Sequence, residues 1–152
     1  MNINTLSKYF SEDLFLVDLK ANSKEKVLAE LIEPLIQKSF VKNKMILLET
    51  LKRRETLGST GIGKGVAIPH CRTLAVSTIH IVVGVSKSGI EYEAIDKKKV
   101  HLFFMIVAPP QEETNLYLPI LGKIVEIVRD AKYRQKLLKA KDFQTFVEVF
   151  NQ

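Results

Sequence analysis

The chain has 152 residues, of which 46% are hydrophobic and 26% are charged, and these proportions indicate a globular protein with a single domain over residues 1–152. No apolar segment approaches the roughly eighteen residues that a transmembrane helix needs, and residues 1–10 do not have the pattern of a signal peptide, so we expect a cytoplasmic protein without membrane insertion. The formal net charge of +6 is spread over predicted helix faces and turns without interleaved aromatic residues, which favours a solvated surface over nucleic-acid binding.

In the first half of the chain, one predicted strand is followed by two predicted helices. The apolar run Leu14 to Leu19 predicts a strand. The hydroxyl of Ser23 can cap a helix that runs from Lys24 to about Ser39, over which apolar residues recur at helical spacing. A second helix is predicted from Lys44 to about Arg53.

In the second half, the hydrophobic period changes from that of helices to that of strands. Three apolar runs rich in branched and aromatic residues predict buried strands, at Val66 to Ile68, Ile79 to Val85 and Val100 to Ala108. Two further helices are predicted, from about Tyr117 to Arg129 and from Asp142 to Phe150. The order of the elements predicts an α/β fold with a mixed β-sheet flanked by helices on both faces.

The segment from Gly58 to His70, GSTGIGKGVAIPH, carries the clearest chemical pattern in the chain. Its glycines and the hydroxyls of Ser59 and Thr60 lead through a short apolar strand to a histidine. Free backbone amides in a glycine-rich turn can hold an anion, and a neutral imidazole can attack phosphorus. The segment therefore predicts a phosphate site whose nucleophile is His70.

The start of this segment also matches the phosphate-binding loop of nucleotide-binding proteins, G-x-x-x-x-G-K. That loop requires a strand before it, a hydroxyl residue after the lysine and a helix behind it. Here Met45 to Leu57 is predicted as helix, Gly65 occupies the hydroxyl position, and Pro69 disfavours a following helix. The sequence therefore argues against a nucleotide site.

The longer segment from Arg54 to His70, RETLGSTGIGKGVAIPH, resembles the active-site signature of the enzyme IIA domains of the bacterial phosphotransferase system, fructose and mannitol class. The resemblance extends over nearly the whole chain and is strongest to the stand-alone nitrogen-regulatory branch. It implies that His70 accepts a phosphoryl group from the phosphohistidine of the carrier protein HPr, and that Arg54 contacts this group. It implies neither a metal nor a nucleotide cofactor, because the phosphoryl group moves between histidines.

Four further residues are assigned to the phosphate site. Ser59, Thr60 and Gly61 are predicted to contact the phosphate, and stabilisation of the loop remains the alternative for the two hydroxyls. Tyr117 stands where many members of the class carry a second active-site histidine. A tyrosine, with an ordinary pKa near ~10, cannot share positive charge at neutral pH. We therefore expect a carrier that accepts phosphate slowly or holds it longer, as would suit a regulator.

Three functions from different classes stay open at this point. The first is a phosphocarrier that regulates protein partners through its phosphorylation state. The second is a sugar-transport component that passes phosphate to a separate IIB domain. The third is a binding module that keeps the fold without being phosphorylated.

The remaining histidines and the single cysteine are predicted to have structural roles. His80 and His101 lie in or beside apolar strands and are interpreted as packed or edge residues. Cys71 follows His70 directly, and adjacent strand residues point to opposite faces, so a catalytic Cys-His pair is not expected. One cysteine and three histidines provide neither a disulfide framework nor the ligand spacing of a zinc site.

Overall fold

The computed structural model describes residues 1–151, and residue 152, which the single-domain prediction includes, lies outside the described residues. The helices are α1 Ile3–Ser7, α2 Lys24–Gln37, α3 Lys44–Thr56, α4 Tyr117–Arg129, α5 Ala131–Lys139 and α6 Phe143–Glu148. The strands are β1 Phe15–Leu16, β2 Gly61–Gly63, β3 Val66–Ala67, β4 His70–Arg72, β5 His80–Ile90 and β6 Val100–Ala108. Within residues 1–151, no helix has the length and hydropathy needed to cross a membrane.

The six strands form one mixed sheet in the order β1-β5-β6-β3-β2, with β4 also paired to β6. The central pair, β5 and β6, is antiparallel, and so is the pair β2 and β3. The strand β1 runs parallel to β5, and β3 and β4 run parallel to β6. The prediction of a mixed sheet is confirmed.

Helices cover both faces of this sheet, as predicted, because the side chains of β6 alternate between two hydrophobic cores. Phe103 and Met105 face a core that includes residues of α2 and α3. Phe104 and Ile106 face a second core that includes residues of α1, α4, α5 and α6. In this second core, the Phe104 ring lies 6.0 Å from that of Phe146, measured between centroids.

The strands β3 and β4 pair with one edge of β6 in a single continuous register. Ala67 lies opposite Phe103, and His70 lies opposite Ile106. Between the two strands lies Pro69, which has no N–H to donate, so the hydrogen-bond ladder is interrupted there. The carbonyl of Pro69 still accepts the Ile106 N–H at 2.9 Å. The interruption places His70 at the first residue of β4, and not at the end of the preceding strand as predicted.

The prediction of a strand over Leu14 to Leu19 is wrong for most of its length. Glu12–Leu14 is a 3-10 helix, and β1 contains only two residues. Beyond β1, the Glu30 carboxylate accepts hydrogen bonds from the backbone N–H groups of Lys20 and Ala21. These bonds attach the segment after β1 to α2.

The remaining helices and strands agree closely with the sequence, with a few differences at the ends. The strand β6 and the helix α4 have the predicted bounds, and α2 begins at the predicted residue. The helix α3 continues to Thr56, and β5 continues to Ile90. The helix α6 is shorter than predicted, because Asp142 is its N-cap and accepts a hydrogen bond from the Thr145 N–H at 2.7 Å.

Candidate functional site

His70 is half-buried at the start of β4, and one hydrogen bond fixes its ring. Its Nδ1 lies 2.7 Å from the carbonyl oxygen of Ile68. Because a carbonyl can only accept, Nδ1 carries the proton of the neutral ring and the lone pair is on Nε2. Burial lowers the pKa of His70; the Ile68 hydrogen bond opposes this shift, and the charge of Arg54 adds to it. The neutral ring is the form that can act as a nucleophile.

The carbonyl of Ile68 can accept this bond because the residue lies between two strands. Ile68 follows β3 and precedes Pro69, where the ladder with β6 is interrupted. Its own N–H donates to the carbonyl of Thr60 at 2.9 Å, which anchors the segment to the glycine-rich loop. The Ile-Pro-His sequence therefore determines the tautomer of the histidine through the backbone.

Arg54 lies in the last turn of α3, where it is half-buried, and its charge helps to lower the pKa of His70. Its Nη1 donates to the carbonyl oxygen of Gly58 at 2.9 Å. The neighbouring Arg53 is exposed. Spacing in the sequence could not separate these two arginines, whereas the structure brings only Arg54 into the surroundings of the imidazole.

Thr60 belongs to a buried polar network beneath the glycine-rich loop. The Glu55 carboxylate accepts hydrogen bonds from both the N–H and the hydroxyl of Thr60, and it lies 3.1 Å from the Lys24 ammonium group. The Thr60 hydroxyl is also 3.1 Å from that of Tyr92. Thr60 is only 3% exposed, which favours loop stabilisation over phosphate contact for this residue.

Ser59 and Gly61 also hold the loop in place. The Ser59 hydroxyl accepts the Gly61 N–H at 3.0 Å, and the Gly61 carbonyl accepts the Ile95 N–H at 2.9 Å. A Cβ at residue 61 would lie 2.8 Å from the backbone of Ala94, so only glycine fits. The expectation of free amides is therefore wrong at residues 60 and 61, because their N–H groups already have acceptors within the protein.

Tyr117 is the first residue of α4, and the structure places it beside His70. The centroid of its ring lies 6.3 Å from that of the His70 ring. Its backbone N–H donates to the Glu112 carboxylate at 2.7 Å, which fixes the start of the helix. Burial raises the pKa of the Tyr117 hydroxyl, so the phenol is neutral at physiological pH.

Arg72 is a further residue of this site, and the sequence did not identify it. It lies two residues after His70 on β4, and its Cζ is 4.6 Å from the centroid of the Tyr117 ring. Residues two apart on a strand share one face. A prediction of β4 would have revealed this relationship, but the three residues after Pro69 are too few to display the period of a strand.

Three exposed leucines are close in sequence to the residues of the site. Leu57 follows the helix that carries Arg54, Leu74 follows β4, and Leu118 follows Tyr117. Their exposed fractions are 82%, 82% and 63%. Exposed apolar side chains of this kind mark a surface that contacts another protein where they form one continuous patch.

The other histidines and the cysteine do not take part in this site. The His80 ring stacks on Phe40 at 4.4 Å, and Nδ1 of His101 lies 2.9 Å from the carbonyl oxygen of Ser86. Cys71 belongs to the core on the α2 and α3 face, where burial raises the pKa of its thiol to about 12. The described residues, 1–151, contain no group of three or more His, Cys, Asp or Glu side chains that could hold a metal ion.

Comparison with known proteins identifies the class to which this fold and site belong. Residues 8–152 match the family described as "Phosphoenolpyruvate-dependent sugar phosphotransferase system, EIIA 2". The nitrogen regulatory protein IIA-Ntr of Neisseria meningitidis has a similar structure, with a TM-score of 0.86 and 25% identity, over 96% of this chain and 99% of that chain. The fold is therefore that of the enzyme IIA proteins.

Two curated relatives have similar sequences. The "PTS system fructose-specific EIIABC component" of Bacillus subtilis is 32% identical over 136 residues, which are 90% of this chain but only 21% of that protein. The "Nitrogen regulatory protein" of Bradyrhizobium diazoefficiens is 32% identical over 131 residues, covering 86% of this chain and 84% of that protein. The chain belongs to the EIIA 2 family of the phosphoenolpyruvate-dependent sugar phosphotransferase system, and the predicted resemblance is confirmed.

Proposed function

We propose that this protein is a phosphocarrier that accepts a phosphoryl group on Nε2 of His70 from the phosphohistidine of an HPr-type protein. The observation that carries the proposal is the hydrogen bond from Nδ1 to the Ile68 carbonyl, which leaves the lone pair on Nε2. A lowered pKa keeps this lone pair available at neutral pH. The charge of Arg54 lies close enough to affect the same ring.

The transfer requires no cofactor and no proton transfer at Nε2. The Nε2 lone pair attacks the phosphorus, the N–P bond to the donor imidazole breaks, and its electron pair returns to the donor ring. The proton on Nδ1 stays in its hydrogen bond, and the Ile68 carbonyl stabilises the positive charge that the accepting ring gains. The guanidinium of Arg54 provides charge-assisted hydrogen bonds to the equatorial phosphoryl oxygens.

Transfer between two histidines requires that the donor protein dock directly over the site. The side chains of Leu57, Leu74 and Leu118 are exposed, and each is available for an apolar contact with the donor. The two arginines at the site, Arg54 and Arg72, are complementary to the negative phosphoryl group that the donor carries. These features support an HPr-type protein as the donor.

A regulatory role is the function that we favour for the phosphorylated protein. Phosphate on His70 would add close to two negative charges beside two arginines, and a partner protein could recognise this change. The match to this chain covers 84% of the length of the nitrogen regulatory relative, so that relative consists mostly of this one domain. Because the B. subtilis relative is named as a fructose-specific EIIABC component, passage of the phosphate to a IIB domain is the second candidate.

Phosphorylation by phosphoenolpyruvate, enzyme I and HPr tests this proposal, with intact mass as the readout. We expect one acid-labile phosphate on the wild type and none on the His70→Ala variant. If the folded wild type gains no phosphate while HPr is charged, the protein is a binding module and the proposal fails. Adding a purified IIB domain to the phosphorylated protein then separates the two roles, because a transport component would lose its phosphate to IIB.

A further inference from the structure

The site holds a second cation, Arg72, on the same strand face as the nucleophile. Positions two apart on a strand are separated by roughly 6.6 Å, a distance that an arginine side chain can span. The guanidinium Cζ of Arg72 lies 4.6 Å from the centroid of the Tyr117 ring, and that ring lies 6.3 Å from the ring of His70. Tyr117 therefore neighbours both the nucleophile and this cation.

Within residues 1–151, no carboxylate neutralises the charge of Arg72. The ion pairs of residues 1–151 all involve lysines, and Arg72 is exposed without a carboxylate partner. Its present contact with the face of an aromatic ring is weak at an exposed position. A charge-assisted hydrogen bond from a guanidinium to a phosphate is stronger, so a phosphoryl group would compete successfully for this side chain.

The charges of two arginines from different elements act on the hydroxyl of Tyr117. Burial raises the pKa of this hydroxyl, and the charges of Arg72 on β4 and Arg54 on α3 both oppose that increase. Arg54 already donates one of its N–H groups to the carbonyl of Gly58. Arg54 therefore has fewer free donors for a phosphoryl group than Arg72 has.

We infer that Arg72 is a second phosphate-binding residue, which leaves the face of the Tyr117 ring and contacts the phosphoryl group on Nε2 of His70. This inference rests on the proposed phosphorylation of His70. A phosphoryl group carries close to two negative charges, and one arginine neutralises only half of them. Arg72 supplies the second positive charge, which Tyr117, as a neutral phenol, does not provide.

Chemical phosphorylation with phosphoramidate tests the inference without a donor protein, since docking is then not involved. The matched variants are Arg72→Gln, Arg72→Lys and Arg53→Gln, of which the last removes the same charge from an exposed position next to Arg54. Circular dichroism checks that each variant is folded. The readouts are the rate of phosphorylation by intact mass and the pKa of the bound phosphoryl group by ³¹P NMR.

We expect Arg72→Gln to slow phosphorylation on the order of tenfold and to raise the pKa of the phosphoryl group by about 1 unit. Arg53→Gln should match the wild type, and Arg72→Lys should lie between the wild type and Arg72→Gln. If the wild type is phosphorylated and Arg72→Gln behaves as Arg53→Gln does, the inference fails and the proposed function stands. If neither phosphoramidate nor HPr phosphorylates His70 in the wild type, both fail.

Discussion

Nδ1 of His70 lies 2.7 Å from the carbonyl oxygen of Ile68, two residues earlier in the chain. The bond joins a side chain to the backbone of its own segment, so it does not depend on the packing of a distant element. It fixes the orientation of the ring and the position of its lone pair together. The proposed acceptor atom, Nε2, therefore carries the lone pair of the neutral ring before any donor arrives.

The pH dependence of phosphorylation should follow the ionisation of His70. Burial lowers the pKa of this residue below the ordinary value near ~6.5, so the ring is neutral at pH 7 and protonates only in more acidic solution. We expect the rate of phosphorylation by phosphoramidate to be constant at pH values above the pKa of His70 and to fall at pH values below it. NMR titration of the ring, assigned with His70→Gln, checks the pKa, and a midpoint above ~6.5 would contradict this prediction.

Arg54 should be essential for fast transfer, whereas Arg53 should not. Removal of one well-placed charged donor costs roughly 3 kcal/mol in a transition state, so Arg54→Gln should slow phosphorylation by HPr on the order of a hundredfold. Arg53→Gln removes the same charge from an exposed neighbour and should leave the rate close to that of the wild type. Equal rates for the two variants would show that the guanidinium of Arg54 does not contact the phosphoryl group.

The buried carboxylate of Glu55 should contribute to stability through the polar network that it organises. Replacement by glutamine removes the negative charge beside Lys24 and presents N–H donors where Thr60 already donates. We expect Glu55→Gln to lower the free energy of unfolding by about 2 kcal/mol, as measured by urea denaturation.

Glu49→Gln is the control for this measurement. The Glu49 side chain is 57% exposed and lies 3.7 Å from the Lys52 ammonium group, so its loss should cost less than about 1 kcal/mol. If the two variants had equal stability, the network around Glu55 would be of no energetic importance.

Tyr117 should limit the rate at which phosphate enters and leaves the site. A histidine at this position can share positive charge with the phosphoryl group, which a neutral phenol cannot. We expect Tyr117→His to accelerate transfer from HPr and transfer back to it, as followed by quenched-flow mass measurement. Tyr133→His, the same substitution away from the site, is the control. No change in either direction for Tyr117→His would refute the hypothesis that tyrosine slows transfer.

Most of the fold could be predicted from the sequence because the long elements have a strong hydrophobic period. The strand β6 and the helix α4 have their predicted bounds, since apolar residues continue to Ala108 and recur regularly from Tyr117. The helix α5 was not predicted, because its sequence AKYRQKLLK is dominated by charged and polar residues. It forms after Asp130, whose carboxylate accepts a hydrogen bond from the Lys132 N–H at 2.9 Å.

The hydrophobic pattern of the sequence does not predict the short strands or all residues of the site. Strands of two or three residues, such as β2 and β4, are too short to display a hydrophobic period. They form because β2 can pair with β3, and β4 with β6. His70 and Arg54 could be identified through the resemblance, since they belong to one continuous signature. Arg72 could not, because it lies beyond that signature and its contact with Tyr117 joins residues that are distant in the chain. Glu55 belongs to the signature, but its role could not be identified, because its ion pair with Lys24 also joins distant residues.

The continuous register of β3 and β4 on β6 has a consequence for how a partner protein would recognise the phosphorylated form. His70 is joined on both sides to backbone that is locked to the central strand, and its hydrogen bond to Ile68 is compatible with either state of Nε2. Phosphorylation can therefore proceed without movement of the main chain. A partner would distinguish the two forms by the local electrostatic potential and by contact with the phosphate itself. The difference between the two forms would be confined to the surface around the histidine.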